Sequence, residues 1–183
     1  MSFRRLVSRR VDRSWLPTSF GLLRRYAGSC GLLLLPAIAW NVAFTSTLMP
    51  ASDMAEFWRD IPAPLVFIEN SLRAVVFALP FAMPLHTATQ RERRALAIFV
   101  LGTLVYFASW VAVMYWPQSA WSRSVLGALA PAYTPILWLP ALAVLGQRLF
   151  WGQFYRWWMY LLACIGFLAA HIGHAAFVEL RSA

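Results

Sequence analysis

Residues 62–85 read PAPLVFIENSLRAVVFALPFAMPL. The stretch is apolar and long enough to cross a bilayer, whose hydrocarbon core takes roughly 20 helical residues. Inside it stand Glu69, Asn70 and Arg73. Ionisable groups in hydrocarbon are costly and normally face a bundle interior or a wet cavity, so these residues mark a candidate site as well as a span. Glu69 precedes Arg73 by four residues, the favourable order for an ion pair along one helix face. Such a pair either fixes helix packing or serves a ligand and a proton, and the residues alone leave both readings open.

The whole chain shares this character. Its 183 residues are 61% hydrophobic and 13% charged, with a mean hydropathy of +0.60. A soluble domain carries about 25% charged residues. The expected fold class is therefore all-α, an integral membrane helical bundle. Apolar runs place five transmembrane helices at about 27–48, 62–85, 95–116, 125–149 and 157–180. No repeat or long linker divides them, so residues 27–183 read as one five-span membrane domain. The first run contains Pro36, and the fourth contains Pro131, Pro135 and Pro140, which make it the span most open to a break.

Residues 1–26 are basic, with seven arginines against Asp12. Phe3, Leu6, Val7, Val11 and Trp15 fall near one helix face, the pattern of a basic amphipathic segment lying on cytoplasmic headgroups. No small-residue cleavage site follows the first apolar run, and Asp12 stands where a twin-arginine signal carries an apolar residue, so a cleaved leader is not expected.

All sixteen basic residues are arginines, as in GC-rich bacterial coding, and the formal net charge is +9. These arginines cluster at the ends of spans. That distribution is the positive-inside pattern of a membrane protein and excludes a nucleic-acid surface as its main cause. The N-terminal tail carries +6, the 86–94 turn +2 and the 146–156 loop +2, whereas the alternate loops at 50–61 and 117–124 carry −2 and +1. The expected topology is N-in/C-out, multi-pass, in a bacterial inner (plasma) membrane. Its partner is the lipid bilayer, with a homo-oligomer or a larger membrane complex compatible with this reading. Cys30 and Cys164 lie within spans and read as small buried residues.

Depth then sorts the polar residues. At 1.5 Å of rise per residue, Glu69 lies about 10 Å and Arg73 about 16 Å below Pro62. His174 and His171 lie about 9 and 14 Å below Leu180. Asn41, Tyr106, Ser109, Tyr133 and Thr134 fall at similar levels, all toward the outer side, while the inner halves are almost purely apolar. Polar side chains left unpaired in lipid are expensive, so one inward-facing network is expected. Kinks at Pro131 and Pro135 would open the bundle outward into a pocket walled by Trp40, Trp110, Tyr133 and Trp138.

The motif His171-x-x-His174 puts two imidazoles one turn apart, a spacing that suits interhelical hydrogen bonds, a proton site, or metal or haem ligation. No second cluster completes a metal set, and His86 is at the opposite surface. No H-E-x-x-H, G-x-S-x-G or phosphate-binding glycine loop occurs, so no catalytic residue is assigned. In span number, size and aromatic content the chain resembles the tryptophan-rich sensory (translocator) proteins, which implies binding of porphyrin- or sterol-like molecules. The proline- and tryptophan-rich first loop of that family has no counterpart here. The small substrate-capture subunits of vitamin transporters are similar in the same general way. The expected function is binding or transport of a small amphipathic or anionic ligand. Arg73 and Asn70 would contact its polar end, and Glu69, His171 and His174 would handle a proton. The alternatives are a redox module carrying haem or quinone, and a non-catalytic accessory or assembly subunit.

Overall fold

The computed structural model describes residues 26–44, 58–152 and 154–182. Among these the chain is helical, apart from turns, loops and an isolated bridge between Ser29 and Pro84. The expected amphipathic segment (apart from Tyr26), the end of the first run, and Asp53 and Glu56 of the acidic loop lie outside the described residues.

Five helical regions follow one another. They are α1 (Cys30–Ala43), α2 (Ala63–Ala82), α3 (Gln90–Tyr115), the broken α4 (Ala130–Leu145) and α5 (Trp157–Ser182). The three regions α2, α3 and α5 are long and apolar enough to cross a membrane, which makes this a multi-span helical protein by length and composition. The shorter α1 and α4 are apolar as well.

Local sequence explains the boundaries. α1 opens as a 3-10 turn over Cys30–Leu34, and Pro36 falls in the first turn of the α-helical part, Leu35–Ala43. A proline there removes no helical hydrogen bond, so it starts the regular helix instead of interrupting it. α2 is α-helical to Ala78 and tightens to 3-10 geometry over Leu79–Ala82, where Pro80 removes a donor.

α3 begins five residues earlier than the apolar run. Thr89 accepts from the Glu92 backbone N–H at 3.2 Å while the Glu92 carboxylate accepts from the Thr89 N–H at 2.8 Å, a reciprocal cap. The basic stretch 90–94 is thus the first turn of a helix, which corrects the reading of it as a turn before residue 95.

The fourth run is not one helix. It divides into the turns Val125–Ala128 and Ala130–Tyr133, the 3-10 segment Thr134–Leu137 and the helix Ala141–Leu145. Pro131, Pro135 and Pro140 each lack a backbone donor, and no regular ladder survives three such gaps in ten residues.

Backbone bonds knit one end of the bundle. Cys30 donates to Met83, Leu85 to Gly28, His86 to Leu145, and Phe150 to Ala82. The starts of α1 and α3 and the ends of α2 and α4 therefore share that end, so the helices alternate in direction. Leu34, Val76, Met83, Leu139, Leu142, Leu145 and Tyr160 form its closed core. Outward faces are apolar too. α3 presents Ile98, Leu101, Leu104 and Val105, and α5 presents Leu162 and Ile165, as a lipid solvent requires.

Candidate functional site

α5 packs extensively along α2. Close approach is possible because Gly166 of α5 faces Leu72 of α2; a Cβ at residue 166 would stand 2.9 Å from a Leu72 methyl carbon. Tyr160 adds a hydrogen bond of 3.1 Å from its hydroxyl to the Val76 carbonyl. Both features hold the two helices in one register.

That register sets Glu69 against the two histidines. Glu69 and His174 have no solvent exposure. Glu69 Oε2 lies 2.6 Å from His174 Nδ1, and Oε1 lies 2.9 Å from His171 Nδ1. Arg73, one turn on, donates through Nη2 to Oε1 and through Nη1 to Asn70 Oδ1 at 3.3 Å. One carboxylate thus holds three nitrogen groups drawn from two helices. The spacing explains the set, since residues four apart on α2 and three apart on α5 each share one face.

An ionised carboxylate only accepts hydrogen bonds, so each imidazole presents Nδ1–H to it. With both rings neutral, the Glu69 and Arg73 charges cancel. A further proton has to enter on a ring Nε2 or on the carboxylate itself. The His171 side chain is 26% exposed and that of Arg73 38%, so the cluster opens at these two residues and is closed at Glu69 and His174. Phe167 supports the open edge. The His171 ring stacks on it at 5.3 Å with an interplanar angle of 9°, and the Arg73 guanidinium carbon lies 5.9 Å from its centroid. On the closed side the Trp58 ring meets His174 edge-on at 4.9 Å.

The other polar residues form a second group. Asn41 Nδ2 donates to the Ala37 carbonyl at 2.7 Å, and the Tyr106 hydroxyl stands 2.8 Å from Nδ2 and 3.0 Å from Oδ1, joining α1 to α3. Ser109 bonds back to the Tyr106 carbonyl at 2.7 Å. Aromatic rings wrap this pair: Trp110 and Trp138 meet Tyr106 edge-on, and Trp40 packs on Phe107. Thr134 is buried, and its hydroxyl has no partner among the described residues. Tyr133 is half-buried.

The expected single network is therefore corrected. Among the described residues no hydrogen bond joins the Glu69 cluster to the Asn41–Tyr106 pair. Trp110 and Trp138 meet Tyr106, Trp40 packs on the neighbouring Phe107, and Trp138 is packed shut. Local back-bonding by Asn41 and Ser109 satisfies groups that the depth argument had pooled with the charged ones.

Sequence reasoning passed over Phe167, Trp58 and Tyr160 as parts of this surround. Phe167 is four residues before His171 and so was detectable as its neighbour. Tyr160 stands in the first turn of α5, and only the helix register gives it Val76.

No protein-family model matches the chain, and no curated protein or solved structure matches it either. Fold and site together define a largely apolar, multi-span helical membrane protein with a buried carboxylate–bis-imidazole–guanidinium cluster.

Proposed function

We propose that this is a five-span, N-in/C-out protein of a bacterial inner membrane that binds or carries a small anionic or amphipathic ligand, with Glu69, His171 and His174 as its proton-exchanging centre. The observation that carries the reading is a carboxylate without solvent exposure whose two oxygens are each met by an imidazole. Buried clusters of this kind inside membrane helices serve proton relays and substrate paths. Arg73 neutralises Glu69 and turns its remaining donors to the open edge, where an anionic group would sit beside the His171 ring. A proton taken up by His171 would strengthen that hold, and its loss would release the ligand.

Two measurements test the proposal. Infrared titration of the purified protein should show a carboxyl or imidazole band that changes with pH and disappears in Glu69→Gln. Native mass spectrometry from mild detergent should show a small anion that wild type retains and Arg73→Gln loses. A titration unchanged in Glu69→Gln would remove the proton role, and an empty wild-type protein would remove the ligand.

A second reading has its own observation. The indole nitrogens of Trp40 and Trp138 and the Thr134 hydroxyl are buried and have no hydrogen-bond partner among the described residues. Donors in excess favour a carbonyl-bearing apolar molecule such as a quinone near Tyr106. Solvent extraction of the purified protein tests this, and the absence of quinone in the extract would count against it.

A further inference from the structure

The outward faces of the three long helices differ in one respect. Between residues 95 and 112 α3 exposes only alanine, valine, leucine and isoleucine, and between 161 and 177 α5 exposes only leucine, isoleucine, alanine, glycine and phenylalanine. α2 exposes Asn70 and Ser71 near its middle, with Arg73 part-exposed beside them. Among the described residues Asn70 receives one bond, from Arg73 to its Oδ1, and its amide Nδ2 donates to none. Among the same residues Ser71 makes no side-chain hydrogen bond, and Arg73 bonds through its two terminal nitrogens.

Lipid offers no partner for these groups, and each unsatisfied donor in hydrocarbon is costly. Asn70 and Ser71 therefore need a polar partner from outside the described residues. The same face continues through Ala74, Ala78 and Ala82, one turn apart, and these residues with Val75 and Leu79 form a shallow, nearly flat apolar strip. Such a strip lets a second backbone come close enough for short side chains to bond across it.

We infer that this face of α2 is where a second copy of the chain docks, α2 against α2 about a twofold axis along the membrane normal. Two arguments select a copy over another partner. An amide both donates and accepts, so Asn70 in each copy can give Nδ2–H to the other's Oδ1, with Ser71 alongside. A twofold contact demands this kind of self-complementarity. Like-charge repulsion does not oppose it, because Glu69 already neutralises Arg73 within each chain. Two copies inserted in the same direction also bring Asn70 and the alanine strip to the same depth. The inference rests on α2 spanning the bilayer. It does not rest on the proton or the ligand.

The test is oxidative cross-linking of Ala78→Cys in native membranes with the full chain, against Leu101→Cys on the outward face of α3. Rapid dimer formation by Ala78→Cys and none by Leu101→Cys is expected. Asn70→Leu should weaken dimerisation about tenfold, the scale of one or two interhelical hydrogen bonds. Ala78→Phe should give monomer whose helical circular dichroism is unchanged. Equal cross-linking at both positions, or a monomeric wild type in nanodiscs, would overturn the inference. Labelling of Ala78→Cys by a water-soluble maleimide would overturn it differently, by placing α2 outside the bilayer.

Discussion

The α2–α5 seam and the α1–α3 seam solve one problem in opposite ways. Both must keep polar side chains inside an apolar bundle. At the first, four charged or titratable groups from two helices depend on one another, and Glu69 is their common acceptor. At the second, Asn41 and Ser109 first satisfy themselves on their own helices and then add one neutral contact through Tyr106. The difference teaches where function can reside. A neutral pair with local back-bonds has one stable arrangement. A cluster with one acceptor and several donors has more than one protonation state, and so can respond to a proton or an anion.

Removing the shared acceptor should break this contrast most severely. Glu69→Leu strands Arg73 and both imidazoles; loss of one partner of a fully buried ion pair costs about 3–5 kcal/mol, and the part-exposed Arg73 puts this one toward the lower end. Thermal unfolding in detergent should show the largest fall in midpoint for this variant. Glu69→Gln with Arg73→Met removes both charges together, and its midpoint should lie closer to wild type than that of Glu69→Leu, because replacing a buried pair is milder than orphaning half of it. A double variant as unstable as Glu69→Leu would mean that the cluster is needed for more than neutrality.

The two histidines should separate next. His174→Ala deletes a fully buried ring and its bond to a charged oxygen, about 2–3 kcal/mol. His171→Ala, at the open edge, should cost less than half of that in the same assay. Equal losses would show that the cluster is not open on the His171 side.

The neutral seam should be the least sensitive. Tyr106→Phe removes one interhelical hydrogen bond, worth about 0.6 kcal/mol on average inside a bilayer. Its unfolding midpoint should barely move, and its infrared pH response should match wild type. A pH response altered by Tyr106→Phe would join the two seams into one system.

Much of this was legible in the residues themselves. Spans with polar insertions, the i,i+4 pair of Glu69 and Arg73, and the i,i+3 pair of His171 and His174 are properties of helical periodicity, which one chain encodes locally. The breaks in the fourth run were legible too, because each proline removes its own donor wherever it stands. Depth along a helix was also readable, since rise per residue is constant.

Rotation about each helix axis was not. Depth placed Asn41, Tyr106, Glu69 and His174 in one layer, but only packing of Gly166 against Leu72 and of Tyr160 against Val76 turned α2 and α5 so that Glu69 met the histidines. The same rotation left Asn70 and Ser71 facing outward and sent Tyr106 to Asn41. Sequence determines which groups an element carries and at what level. Tertiary structure alone decides which way they point, because that choice depends on side chains from distant parts of the chain filling one another's gaps.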